Sequence, residues 1–272
     1  RPATPPYRPT FIDPNGMDNI TKYHHPAWHY TDIAYVLNDP AKAAENGKTL
    51  AAPDGDNISE IIRMSAELKS RASAEQKAID LAWIEHLVGD IHQPLHAITL
   101  ISPDFPTESG DRGGNSIAVH VPAVRRPDGS TTRAYSTRLH TLWDDLPGAM
   151  EMNQFSLADF KQVHAQALAL IAKYPRSALP ELLKNRTPEA WGHESYEVAI
   201  ADAYLNGRIF ALPRKGSTYQ LPATYLARAH EVADRRIALA GYRLADTLHA
   251  LLATNEASGS AATAPNPPAT SR

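Results

Sequence analysis

The sequence predicts a mainly α protein, a single-domain multi-helix fold with one small β-hairpin. Three observations lead there. Apolar residues recur at three- and four-residue spacing through most of the chain, in runs bounded by capping residues and prolines. One pair of short segments alternates like strands around a turn-forming tetrapeptide. No linker-like stretch divides the middle of the 272 residues, 43% of them hydrophobic, so one large core fits better than two small ones.

Residues 1–20 are rich in Pro, Asn and Asp, including Asp13-Pro14-Asn15-Gly16, and read as irregular surface chain. From His24 to Ile33 the chain is dense in His and aromatic residues. Pro26 disfavours helix at the residue before it, so this stretch reads as an extended or turn segment that carries His29 inward. A helix follows, capped by Asn57 or Ser59, with Ile58, Ile61, Ile62, Ser65 and Leu68 at helical spacing and an end near Arg71. Ser73-Ala74-Glu75-Gln76 has the form of a capping box and opens the next helix. There Ile79, Ala82, Trp83, His86 and Asp90 form the face expected to be buried, and Pro94 ends or bends the helix before His96.

Residues 99–115 read as a loop that finishes in Gly110-Asp111-Arg112-Gly113-Gly114-Asn115. Ser116 to Val121 and Thr131 to Tyr135 flank Pro127-Asp128-Gly129-Ser130 as the hairpin, the one β signal in the chain. A short helix then carries Leu139 to Asp144. Three longer helices complete the domain: Ser156 to Tyr174, Thr187 to Gly207, and Pro222 to Ala253. The last sets Ala229, Val232, Ile237, Ala240, Leu244, Leu248 and Leu251 near one stripe. The domain is therefore expected over residues 1–254, with residues 255–272 a disordered tail of Ser, Ala, Thr and Pro.

Composition narrows the chemistry. A formal charge of -3 excludes a strongly basic surface, so a nucleic-acid partner needs something other than a field of Lys and Arg to hold it. A metal cluster can serve. The absence of cysteine excludes disulfides and thiolate ligands and leaves His, Asp and Glu as candidate metal donors. No run approaches 18 apolar residues, so no membrane span is indicated, and no basic and apolar leader precedes Arg1.

His86 and Asp90 stand four residues apart and project from the same helix face. A buried, unpaired carboxylate costs several kcal/mol, so Asp90 needs a cation or strong donors. By itself the pair reads more readily as a hydrogen-bonded core His and Asp. His140 and Asp144 repeat the spacing, and His29 and His96 bring the set to four imidazoles and two carboxylates on separate segments. Such nitrogen and oxygen donors suit zinc. His92 lies off the His86–Asp90 face and reads as a structural residue.

The order His-x3-Asp-x5-His, then Asp-Arg-Gly-Gly-Asn, then Leu-His-x2-Trp-Asp, with Trp-His-Tyr-x-Asp upstream, resembles the zinc-dependent S1/P1 nuclease family. The resemblance extends over residues 24–252, including Trp191-Gly192-His193-Glu194-Ser195. It implies a helical phospholipase C/P1 nuclease-like fold with three zinc ions at the bottom of a cleft. His29, His86 and Asp90 would bind one zinc of a close pair, Asp90 bridging to its neighbour, and His96, His140 and Asp144 would hold the third. Tyr30 matches the family's base-stacking aromatic and Asp32 its base-binding carboxylate.

The resemblance places the remaining ligands of the pair upstream, so the chain reads as N-terminally incomplete, with Arg1 as the last residue of the family's Asp-x-x-Arg motif and, beside Asp90, part of the catalytic set. A water bridging the paired zincs would attack phosphorus and leave 5'-phosphates on single-stranded DNA, RNA or 3'-nucleotides. The resemblance also implies a secreted or periplasmic monomer. The rivals are a zinc phospholipase C, which shares the fold but is expected to carry Glu in place of Asp144, and a zinc-binding helical protein without catalysis.

Overall fold

In the computed structural model, residues 23–106, 109–125, 129–146 and 157–260 are described. A 3-10 turn, Pro26–His29, leads into β1 (Ala34–Val36), and a second such turn spans Pro40–Glu45. Helices α1 (Asn57–Leu68) and α2 (Ala74–Asp90) form an adjacent pair. The turn Pro94–Ala97 follows, then β2 (Thr99–Ile101), β3 (Ala118–Val121), β4 (Tyr135–Arg138) and α3 (Leu139–Asp145). The second half contains α4 (Leu157–Lys173), the short α5 (Glu181–Lys184), α6 (Pro188–Val198) with a π-helical continuation Ala199–Ala203, strands β5 (Arg214–Lys215) and β6 (Thr218–Gln220), and the long α7 (Tyr225–Ser260).

The protein is mainly helical, as expected, and three helix starts follow from side-chain caps. Asp56, rather than Asn57 or Ser59, caps α1: its carboxylate accepts from Ser59 N, and Ser59 Oγ returns a bond from Asp56 N. Ser73 caps α2 by accepting from Gln76 N, and Thr187 caps α6 ahead of Pro188. Ser156 and the turn residues Pro127 and Asp128 lie outside the described residues, as do residues 1–22 and 261–272.

As expected, His25 stays outside any helix (φ -120°, ψ 79°), and Pro26 opens a 3-10 turn because a proline at the first helical position loses no intrahelical bond. Two expectations about β structure are corrected. The second hairpin strand is Tyr135–Arg138, not Thr131 to Tyr135, in the register Ala118↔Arg138, while Thr131 makes only an isolated bridge to Arg125. β structure also extends past the hairpin. β1 pairs with β2 in parallel, Ala34 opposite Thr99, and β6 adds in parallel to β3 with β5 beyond it. Parallel partners distant in sequence leave no turn signal between them, and both β1 and β2 are only three residues long.

Two apolar clusters fill the interior. One gathers Ile33, Leu95, Leu100, Val119, Trp143 and Tyr204 around the strands and α3. The other gathers Ile61, Met64, Leu87, Val88, Ile91, Ala97 and Trp191 between α1, α2 and α6. Each fully buried aliphatic side chain contributes roughly 1.5–3 kcal/mol. Leu95 belongs to the first cluster, Ile91 and Ala97 to the second. The segment between the two predicted ligand pairs is therefore a wall shared by both.

Candidate functional site

The first ligand group forms where α2 meets the Pro26–His29 turn. Trp28 anchors that turn, with Nε1 donating to Asp54 O at 2.8 Å and its ring stacked on His25 at 3.6 Å. His29 follows on the same turn. Its Nδ1 lies 3.0 Å from Asp90 Oδ2 and 2.9 Å from His86 Nε2, and His86 Nε2 lies 3.0 Å from the same carboxylate oxygen. Three ligand atoms in such a triangle can all stand about 2.0–2.2 Å from one point, the spacing zinc takes to nitrogen and oxygen. The hydrogen bond to Asp90 raises the pKa of His86, with burial opposing it.

His96, His140 and Asp144 form the second group, from the Pro94–Ala97 turn and α3. His96 Nδ1 donates to His29 O at 2.8 Å, and His140 Nδ1 donates to Gly113 O at 2.7 Å. Each carbonyl can only accept, so the Nδ1 nitrogens carry the protons and the Nε2 lone pairs face Asp144, at 3.5 and 3.6 Å. A ligating histidine normally holds its second nitrogen this way. Gln93 Nε2 donates to Asp144 Oδ1 at 2.8 Å. Burial raises the Asp144 pKa, but the neighbouring His96 and the bond from Gln93 outweigh it and the net shift is down. The donor set and the orientation of both imidazoles fit a metal ion.

Asp90 links the groups, since its Oδ1 lies 3.7 Å from His96 Nδ1. Beside them a cavity of about 200 Å³ is lined by His29, Tyr30, Asp32, Arg112, Asn115 and His140. Tyr30 is 42% exposed, which argues against a core role and leaves its ring free to stack. Burial, then the charges of Asp111 and Asp56, push Asp32 up to about 6. Asp111 organises the floor by accepting from Leu100 N, Gly114 N and the Tyr204 hydroxyl. Gly113 must be glycine: its φ is +57° and a Cβ would collide with Leu95 O, beside His140 Nδ1.

All six predicted ligands thus converge into two triads, and Tyr30 and Asp32 line the adjoining cavity. Arg1 lies outside the described residues. The buried face of α2 is not the one expected. It comprises Asp80, Ile84, Leu87 and Val88, whereas Ala82 and His86 are exposed. This helix has apolar residues on two faces, so periodicity alone chose the wrong one. The reading of α7 also missed Arg236 and Arg243, which are buried at 4% and 3% exposure, while Ile237 is 37% exposed. Their spacing from Ala229, Val232 and Leu239 is the signal that was present.

A family model described as S1/P1 Nuclease matches residues 14–253. Among curated relatives, Endonuclease 3 of Arabidopsis thaliana is 25% identical over 244 residues, covering 85% of this chain and 73% of that protein. Endonuclease 4 of the same plant is 28% identical over 187 residues, covering 64% of this chain and 50% of that protein.

Proposed function

Because the chain belongs to the S1/P1 nuclease family, we propose that it is a zinc-dependent phosphodiesterase acting on single-stranded DNA or RNA, with 3'-nucleotidase activity and 5'-phosphorylated products. One observation carries this reading: two His/His/Asp triads linked through Asp90 open beside a cavity that offers an exposed aromatic ring and a carboxylate. His29, His86 and Asp90 would hold one metal ion and His96, His140 and Asp144 another. When bound, zinc supplies charge neutralisation on the phosphate and acidification of water.

The chain's own residues supply the rest. Tyr30 stacks on a base, which any base accepts, for about 1–3 kcal/mol. A base inside a duplex hides that face, so the arrangement favours unpaired strands. Asp32, near a pKa of about 6, is partly protonated at neutral pH and can accept from or donate to a base edge. Arg112 lines the same cavity, and its guanidinium can offer a phosphate a donor fork.

The test is a parallel assay with zinc present on a single-stranded oligonucleotide, a matched duplex, a 3'-mononucleotide and phosphatidylcholine. The expected result is cleavage of the single strand and the mononucleotide, with 5'-phosphate ends on the oligonucleotide products. Cleavage of phosphatidylcholine alone, or bound zinc without hydrolysis of any substrate, would overturn it.

A further inference from the structure

Between the triads the backbone leaves the helical ladder. α2 ends at Asp90, and Pro94 opens the turn that delivers His96. Carbonyls at the end of a helix lack partners within it. Here two of them are met by side chains from distant elements. Ser195 Oγ, on α6, donates to Ile91 O, and Arg236 Nε, on α7, donates to His92 O at 3.0 Å. One helical turn earlier, Asn57 Nδ2 donates to Leu87 O at 3.1 Å.

The His92 ring is fixed at both nitrogens. Nε2 lies 2.7 Å from an Arg243 terminal nitrogen, which can only donate, so Nε2 accepts and Nδ1 donates to Val88 O at 2.7 Å. Glu194 lets two guanidiniums share this space. Arg236 pairs with it, Arg243 does so at 2.8 Å, and Asn185 Nδ2 donates to it at 2.7 Å. Arg236 also donates to Ser195 Oγ at 2.5 Å, which closes the network.

A cluster of two arginines and one glutamate is an expensive way to join α6 to α7. Burial makes both guanidiniums harder to charge, pushing Arg236 down to about 9 and Arg243 to about 10. Hydrophobic side chains of similar volume often hold such a space as well or better. They cannot, however, donate to the carbonyls of a turn.

We propose that Arg236, backed by Glu194 and Arg243, is a positioning residue that fixes the Ile91–His92 turn and so sets the separation of the His29–His86–Asp90 and His96–His140–Asp144 triads. The inference rests on the metal reading above. It concerns how the ligands are held, not which residues bind.

Zinc affinity and stoichiometry, measured by competition with a chelating indicator, test it in the parent chain and in Arg236→Lys, Ser195→Ala and Arg176→Met. Lysine keeps the charge of Arg236 but lacks the fork, and Ser195→Ala removes one hydroxyl, so it gives the decisive reading if Arg236→Lys does not unfold cooperatively. Arg176→Met is the control, since Arg176 pairs with Asp246 of α7 at the surface. The two turn variants are expected to bind zinc about tenfold or more weakly, the usual loss when a ligand's supporting partner is removed. Their kcat should fall with KM little changed, and the control should match the parent.

Parent-like zinc affinity in Ser195→Ala and in a folded Arg236→Lys would overturn the positioning role alone. An equal loss in Arg176→Met would do the same, because it would reduce the effect to general destabilisation. A parent chain that binds no zinc would overturn the metal reading and the inference with it.

Discussion

The two triads use the same residue types but are held in different ways. In the His96–His140–Asp144 group every ligand is fixed from behind: the imidazoles by the His29 and Gly113 carbonyls, and the carboxylate by Gln93. Its imidazole Nε2 atoms nevertheless stand 3.5 and 3.6 Å from the Asp144 oxygens. In the His29–His86–Asp90 group the atoms already meet at 2.9–3.0 Å, although the His86 side chain is 52% exposed. One site is oriented by backbone, the other by mutual contact around a single carboxylate oxygen. The difference teaches that the first group also supports the second: the His29 carbonyl holds His96 Nδ1, and Asp90 Oδ1 lies 3.7 Å from that same nitrogen.

The largest effect is therefore expected from Asp90→Asn, which should weaken metal binding at both triads and lower activity roughly 1,000-fold, the upper range for losing a group that stabilises developing charge. Metal analysis showing loss at only one triad would break the proposed link. Next comes Asp144→Asn or His96→Ala. Either should remove metal from one triad only, at a cost of about 100-fold in activity, and unchanged stoichiometry would remove these residues from the ligand set. Gln93→Leu should be milder, weakening the second triad about 10- to 100-fold while sparing the first. Equal weakening at both would mean that the contrast in their support is wrong.

The smallest effect concerns the carboxylate cluster beside the second triad. Burial raises the Asp32 pKa from 3.8 to about 6 in the folded chain, so the folded state holds the proton more tightly. The favourable contribution is complete below pH 4 and is lost as pH rises through about 6. Asp32→Asn should thus gain stability relative to the parent at pH 7–8, by about 1–3 kcal/mol, with the advantage vanishing near pH 4. Thermal melts of both proteins across that range check the slope, and a constant difference would contradict it.

These contrasts mark what the sequence could convey. The convergence of the candidate ligands was legible because helical geometry turns a four-residue spacing into proximity, as with His86 and Asp90 or His140 and Asp144. Helix starts at Ser73 and Thr187 were legible because a cap is a local bond. What holds the ligands was not legible. The Gly113 carbonyl behind His140 is 27 residues away in sequence, and Arg236 is 144 residues from the carbonyl it meets. Such partners are chosen by tertiary packing, which leaves no periodic trace. The parallel pairing of β1 with β2 stayed hidden for the same reason. The buried face of α2 was missed for another: the alternative face, bearing Trp83 and His86, is also partly apolar.

The segment from Ile91 to Ala97 is anchored in both apolar clusters, through Leu95 on one side and Ile91 and Ala97 on the other. On heating, these clusters need not expand together, and whichever loosens first drags the segment with it. Catalysis should then fail before the fold does: the temperature of half-inactivation should lie below the unfolding midpoint. A second metal-binding loop on an independent support would fail only with its own support. Here one short span acts as the fuse for both halves of the site.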